Sequence, residues 1–171
     1  MGRFLFTSLG LLVVAFALSG IGANRYCPFD WVSYNVSCYK LFYTPMSWDR
    51  AQRFCVEQQE NSQLASINDV GESVKLSNYI SQKLKLFDVW MGLRLSKRKG
   101  IWEWSDGSNL THTSWEEGEP NNFFNQEFCA VLSARTRHLQ WNDKKCTCWH
   151  PFVCKFQPRS ETNGCPITSS K

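Results

Sequence analysis

The chain has 171 residues, 19 basic and 15 acidic, for a net charge of +4 at pH 7. That length fits one domain of ordinary size with a core of its own and room for a tail. A composition 43% apolar and 20% charged excludes a disordered chain, and so small a charge does not mark a nucleic-acid binder. Arg3, an apolar stretch densest from Leu9 to Leu18, and the small residues Ser19, Gly20, Gly22 and Ala23 have the three-part plan of a secretory leader. Cleavage after Ala23 makes residues 1–23 a signal peptide. The stretch is too short and too interrupted for a transmembrane helix, and no later segment is apolar enough for insertion. The polar tail, residues 157–171, carries no lipid-anchor signal. The expected product is therefore secreted.

Between Asp30 and Tyr43 aromatic and β-branched residues predict short strands, ended by Thr44-Pro45. Ser47 then caps a helix to about Gln59, with Trp48, Ala51, Phe54 and Cys55 on one face. A second helix starts at Asp69, with Glu72 as capping-box partner and Val70, Val74, Ser77, Ile80 and Leu84 sharing a face. After Phe87 the helical period stops. Strands are predicted over Val89–Leu95, Ile101–Trp104 (Trp102 and Trp104 on one face), Phe128–Leu132, His138–Asn142 and Phe152–Phe156. Two helices followed by strands define an α+β domain. The irregular stretch from Ser105 to Gln126 is of a length that compact domains keep for function.

All eight cysteines follow the leader, so export turns them into disulfides, in any of 105 pairings. Cys146, Cys148, His150 and Cys154 resemble a zinc site only superficially, because the paired Cys-x-x-Cys spacing is absent. Asn35-Val36-Ser37 and Asn109-Leu110-Thr111 are glycosylation sequons that export makes usable.

The chemistry gathers around two of the cysteines. Glu119-Pro120-Asn121 and Glu127 precede Cys129, and Trp141-Asn142-Asp143 precedes Cys146. Should Cys129 pair with Cys146, the bridge would pin together the segments holding Glu127, Asn142 and Asp143. Carboxylates and amides are hard oxygen donors of the kind calcium takes six to eight of, and three carboxylates against a divalent ion leave about −1. No histidine or thiolate is needed, which disfavours softer metals. Each triplet alone reads as a surface turn or a strand end; their combination with the cysteines points to a calcium site.

The order Cys27, Cys38, Cys55, Trp90-Met91-Gly92-Leu93, Glu-Pro-Asn, Cys129, Trp-Asn-Asp, Cys146 and Cys154 resembles a C-type lectin domain over residues 27–156. With the leader, the start Cys-Pro-x-Asp-Trp is similar to secreted snake-venom C-type lectins. The resemblance implies a domain over 24–156, with two helices, short antiparallel strands and a long calcium- and sugar-binding loop. It implies the disulfides Cys27–Cys38, Cys55–Cys154 and Cys129–Cys146. It also implies calcium ligation by Glu119, Asn121, Glu127, Asn142 and Asp143, a cis Pro120, and the mannose-type specificity that accompanies Glu-Pro-Asn. The expected activity is calcium-dependent binding of mannose-type glycans on cell-surface glycoproteins and glycolipids. Because one shallow sugar site is weak, agglutination of cells implies a homodimer or larger oligomer.

Some residues depart from the pattern. Cys148 and Cys165 fall outside the three family bridges and either pair within the chain or join two chains. The half-cystine that galactose-type venom lectins use for dimer linkage is absent near Ser108, and Gln63 stands in a region where those relatives often carry a cysteine. Lys97-Arg98-Lys99 reads as a solvated turn without the acids of an auxiliary calcium site. Arg135, Arg137 and His138 read as another exposed turn, Trp141 reads as core, and at least one of Phe123 and Phe124 is expected to pack on the domain body. The competing function is a lectin-like module that binds a receptor or clotting protein instead of sugar; the full ligand set argues against it. No nucleophile elbow, His-Glu-x-x-His or phosphate loop is present, so an enzyme is not expected.

Overall fold

Asn35, held at a left-handed φ of 48°, turns the first strand, β1 (Val32–Tyr34), back onto β2 (Ser37–Met46). This hairpin opens the computed structural model, which describes residues 27–159. The leader expected over 1–23, residues 160–171 of the tail and Cys165 lie outside them. β2 runs through Thr44-Pro45, where the sequence predicts a break. Its ladder with the last strand is irregular between Phe42 and Met46, so Pro45 costs no regular rung there.

Helix α1 (Trp48–Gln58) buries Trp48, Ala51 and Cys55, with Phe54 half-buried. Ser47 occupies the cap position, but its hydroxyl makes no cap bond. The helix start is tied instead by Trp48 N–H donating to the Cys146 carbonyl at 2.9 Å. The short β3 (Gln63–Leu64) leads to α2 (Val70–Lys83), whose cap residue Asp69 accepts from Glu72 N–H at 2.8 Å. The expected face of α2 is corrected: Val70 and Val74 are exposed, and the buried stripe is Glu72, Ser73, Leu76, Ser77 and Ile80. Three of those five are polar because they bond beyond their own helix. Glu72 meets Lys155, while the Ser73 and Ser77 hydroxyls donate to the Leu139 and Arg137 carbonyls.

The remaining strands are β4 (Val89–Ser96), β5 (Ile101–Trp104), β6 (Cys129–Leu132), β7 (Trp141–Lys144) and β8 (His150–Phe156). They join one sheet in the order β1-β2-β8-β4-β6-β7, with β3 pairing β8 and β5 pairing β4. The sheet is mixed rather than wholly antiparallel, because β4 and β8 pair in parallel at Trp90 and Phe152. The last of the described strands thus lies between β2 and β4.

β4 is buried on both faces, which is why it reads as an unbroken apolar run. Val89, Met91 and Leu93 join Leu76, Ile80, Trp104 and Trp141, whereas Trp90 joins Trp48, Ala51, Val131 and Phe152. Between them Gly92 is obligatory: a Cβ there would lie 2.5 Å from the Leu64 carbonyl oxygen. Disulfides Cys27–Cys38, Cys55–Cys154 and Cys129–Cys146 staple the layers. Cys146 and Cys154 are therefore no zinc thiolates.

His138 is corrected from exposed turn to core. It is 1% exposed, its Nε2 lies 2.9 Å from the Phe87 carbonyl oxygen, and burial lowers its pKa. The strand expected over His138–Asn142 accordingly begins only at Trp141. Among the described residues no helix is long and apolar enough to cross a membrane.

Candidate functional site

The stretch from Ser105 to Gln126 is irregular but anchored. Trp141 N–H donates to the Ser114 carbonyl at 2.7 Å, and Glu116 N–H donates to the Trp141 carbonyl at 2.9 Å, so residues 114–116 lie alongside β7. Trp115 packs on Trp141 and Trp102, burying the loop's aromatic side. This stitching carries the Glu119-Pro120-Asn121 turn, whose Glu119–Pro120 bond is cis, to the Asn142-Asp143 segment of β7. From the other side, the β6–β7 pairing and the Cys129–Cys146 bridge hold β7 in place.

Four of the five candidate ligands meet. The Glu119 carboxylate accepts from the Asn121 amide at 3.0 Å and the Asn142 amide at 2.9 Å. Asp143, fully buried, accepts from the backbone N–H groups of Asn121 at 3.2 Å and Asn122 at 2.7 Å. Glu127 touches none of these four side chains; its carboxylate accepts from Phe123 N–H at 3.3 Å, and its own N–H donates to Asn122 Oδ1 at 3.1 Å. It therefore closes the loop's far side rather than the cluster. Among the described residues no three His, Cys, Asp or Glu side chains converge closely enough to hold a metal by themselves.

Electrostatics separate two carboxylates here. Burial and the neighbouring Asp143 carboxylate raise the pKa of Glu119, and among the described residues no ion pair reaches either group. Glu116, three residues earlier, is a member of the site that sequence reasoning missed. Burial opposes its ionisation, but hydrogen bonds from Arg135, Ser133 and Asn142 outweigh it and lower its pKa. Its carboxylate pairs with Arg135 and lies 3.3 Å from the Asn142 amide, so Asn142 bridges Glu116 and Glu119. Nothing in Glu116-Glu117-Gly118 distinguishes the buried acid from its exposed neighbour.

At least one of Phe123 and Phe124 is expected to anchor on the domain body; neither is buried there. They are 59% and 75% exposed and pack on each other, ring centroids 4.3 Å apart. Asn122, Phe124 and Asn125 all have left-handed φ, a tight path that turns both rings outward. The other expected turn behaves as read: Lys97 lies over the Phe128 ring, and Lys99 pairs with Glu103. The sequon residues Asn35 and Asn109 are both exposed.

The donor set suits a hard cation. It offers only oxygen and amide groups, and its two crowded carboxylates have no ion-pair partner among the described residues. The comparison with known proteins agrees with the fold. Residues 44–156 match the Lectin C-type domain family. The chain is 84% identical over 164 residues to C-type lectin 1 of Hydrophis hardwickii, covering 96% of this chain and all of that relative. It is 42% identical over 156 residues to a C-type lectin galactose-binding isoform of Hoplocephalus stephensii, covering 91% and 98% of the two. The crystal structure of C-type lectin CEL-I from Cucumaria echinata superposes with a TM-score of 0.72 at 28% identity, covering 78% of this chain and 99% of that one. The chain belongs to the C-type lectin domain family. Its work is therefore binding, not catalysis.

Proposed function

We propose that this protein is a secreted, calcium-dependent lectin of mannose-type specificity, exported by a leader over residues 1–23. The carrying observation is the cluster in which Glu119 accepts from the amides of both Asn121 and Asn142 beside the buried Asp143. Glu119, Asn121, Asn142 and Asp143 would hold the ion, with Glu127 completing the set from the loop's far side. An ion held by these residues would neutralise the crowded carboxylates and supply a Lewis acid for sugar hydroxyl oxygens. Half a turn of each amide about its last bond presents oxygen to the ion and leaves the NH₂ for ligand.

The rest is hydrogen bonding by this chain. Each hydroxyl proton is accepted by a carboxylate, Glu119 or Glu127, and each remaining hydroxyl lone pair accepts from an amide, Asn121 or Asn142. The acid–amide bonds are charge-assisted and stronger than neutral ones. Acid at 119 and amide at 121 set the order of acceptor and donor, and the reverse order would suit a different pair of hydroxyls. That order is the basis for choosing mannose, even though one relative is named as galactose-binding. Agglutination of cells through glycoproteins and glycolipids follows if two or more sites are held together.

The test is retention of the secreted protein on immobilised mannose, with calcium and then with a chelator, beside a galactose resin. Retention on mannose that the chelator abolishes supports the reading. A folded protein that neither resin retains overturns it in favour of a module that binds a receptor or clotting protein. Glu119→Gln with Asn121→Asp is expected to shift retention from mannose to galactose; unchanged selectivity would remove those two side chains from the sugar's donor–acceptor pattern. Metal ligands must be deprotonated, so retention that persists near pH 4 would contradict the mechanism.

A further inference from the structure

A guanidinium stands close to the candidate cation site. Arg135 lies in the short turn Ala134–Thr136 after β6, and its side chain is 73% exposed. Its Nη2 donates to Glu116 Oε2, and its Nε lies 3.4 Å from Glu116 Oε1, so guanidinium and carboxylate meet as two forks. Glu116 is the fixed partner. Its side chain is 2% exposed, its N–H donates to the Trp141 carbonyl, and its own carbonyl accepts from Glu119 N–H at 3.0 Å. The Asn142 amide nitrogen lies 3.3 Å from Glu116 Oε2 and 2.9 Å from Glu119 Oε1. A single NH₂ group therefore separates the carboxylate that holds Arg135 from one that faces the cation site. Glu119 is near enough to act on Arg135, adding to the hydrogen bond and charge of Glu116 that raise its pKa.

A permanently charged side chain beside two crowded carboxylates competes with any ion for them. Moved from Glu116 to Glu119, the Arg135 guanidinium would neutralise the site from within, as Lys155 does for Glu72. Its exposed stem leaves it free to swing. Glu116 prevents the exchange. Losing the guanidinium would leave a buried anion unpaired, which costs more than a pair at the half-buried Glu119 returns. We propose that Glu116 holds the Arg135 guanidinium off the cation site and so keeps Glu119 and Asp143 available to calcium. This rests on the proposed calcium site and adds a positioning residue that is not itself a ligand. It also gives a task to a buried acid that the five-residue ligand set leaves without one.

The test is calcium affinity by titration calorimetry on the full secreted chain and its variants, with folding checked by urea unfolding in chelator. E116Q frees Arg135 to pair with Glu119 and should weaken calcium binding about tenfold. R135Q removes the competitor and should bind calcium at least as tightly as the native chain. E116Q/R135Q removes one charge of each sign, leaves the local net charge unchanged, and should return to within about threefold of the native affinity. A calcium-free reading comes from the Arg135 Nε–H resonance in chelator. It should stay protected from exchange with water in E116Q, where Glu119 accepts it, and lose that protection in E116Q/E119Q. Should E116Q not fold, E116D with and without R135Q gives the same comparison, because the shorter acid withdraws its oxygens from Arg135. Undiminished affinity in E116Q, a loss that R135Q does not rescue, or weakened binding in R135Q alone overturns the role of Glu116 and leaves the calcium site standing. A folded native chain that takes up no calcium overturns the proposed function and this role with it.

Discussion

Two clusters of buried carboxylate in this domain are neutralised in opposite ways. Around Glu72 the protein supplies its own cation. Lys155 donates to Glu72 at 2.7 Å and to Ser66 twice, Tyr39 donates to the same carboxylate, and Asn68 N–H satisfies its other oxygen at 2.7 Å. Burial and the Glu72 carboxylate raise the Tyr39 phenol, which therefore stays a donor. Around Glu119 and Asp143 there are amides and backbone N–H groups but, among the described residues, no ion pair, and the Arg135 guanidinium is paired with Glu116. The first arrangement is closed and complete. The second leaves net negative charge beside rotatable amides, the arrangement expected where a cation comes from outside.

The largest effect should come from breaking the closed cluster. Lys155→Met leaves Glu72 buried without its counter-charge and should cost about 3–5 kcal/mol, read from urea unfolding. A loss below ~1 kcal/mol would mean that Lys155 contributes no more than a surface pair. The open cluster should respond in the contrary sense. Asp143→Asn should change stability little in chelator. It should abolish a calcium-dependent gain that in the native protein reaches about 2–3 kcal/mol at a hundredfold excess over the dissociation constant. Equal thermal shifts in calcium for both proteins would sever Asp143 from the ion.

Acid probes a third arrangement, two histidines for which burial outweighs the attraction of Asp88. Burial lowers the pKa of His138 and of His150 below the usual 6.5, so the folded chain binds fewer protons than the unfolded one. Their contribution is intact above about pH 6.5 and is lost as pH falls through that value toward the lowered ones. The melting temperature should decline from about pH 7 to 5, and His138→Gln should flatten the slope; an unchanged slope would exonerate His138. The smallest effect belongs to Phe123 and Phe124, which lie outside both clusters. Alanine at both should alter unfolding free energy by no more than about 0.5 kcal/mol, because neither ring is buried.

Much of this architecture was legible in the sequence where apolar residues carry it. Trp90 to Leu93 reads as a central strand because both faces are covered, and Trp48, Ala51 and Cys55 read as one face of α1. The misreadings share one cause: polar side chains whose partners are remote in the chain. Val70 and Val74 look like the inner face of α2, yet Glu72 is inside because Lys155 lies 83 residues away. His138 looks like an exposed turn, yet Phe87 and Ser81 receive its ring. The candidate site divides the same way. Asn142 and Asp143 are adjacent in the sequence, and Cys129 and Cys146 mark where their strand is held. The buried role of Glu116 depends on Arg135 and Asn142, 19 and 26 positions on, and no local pattern announces it.

The sheet order has a consequence for synthesis. β8 is the last of the described strands to be made, yet it fills the place between β2 and β4. A chain still attached to a ribosome at residue 140 carries both neighbours of that gap, each with an unpaired edge. At about 5–20 residues per second it remains so until the final strand emerges. The β6–β7 hairpin bearing Asn142 and Asp143 is local and can pair earlier, but the central sheet closes only once β8 has been made. A nascent chain of this fold is therefore a client for holding factors until β8 emerges, and truncation before Phe156 should yield an aggregation-prone product rather than a smaller domain.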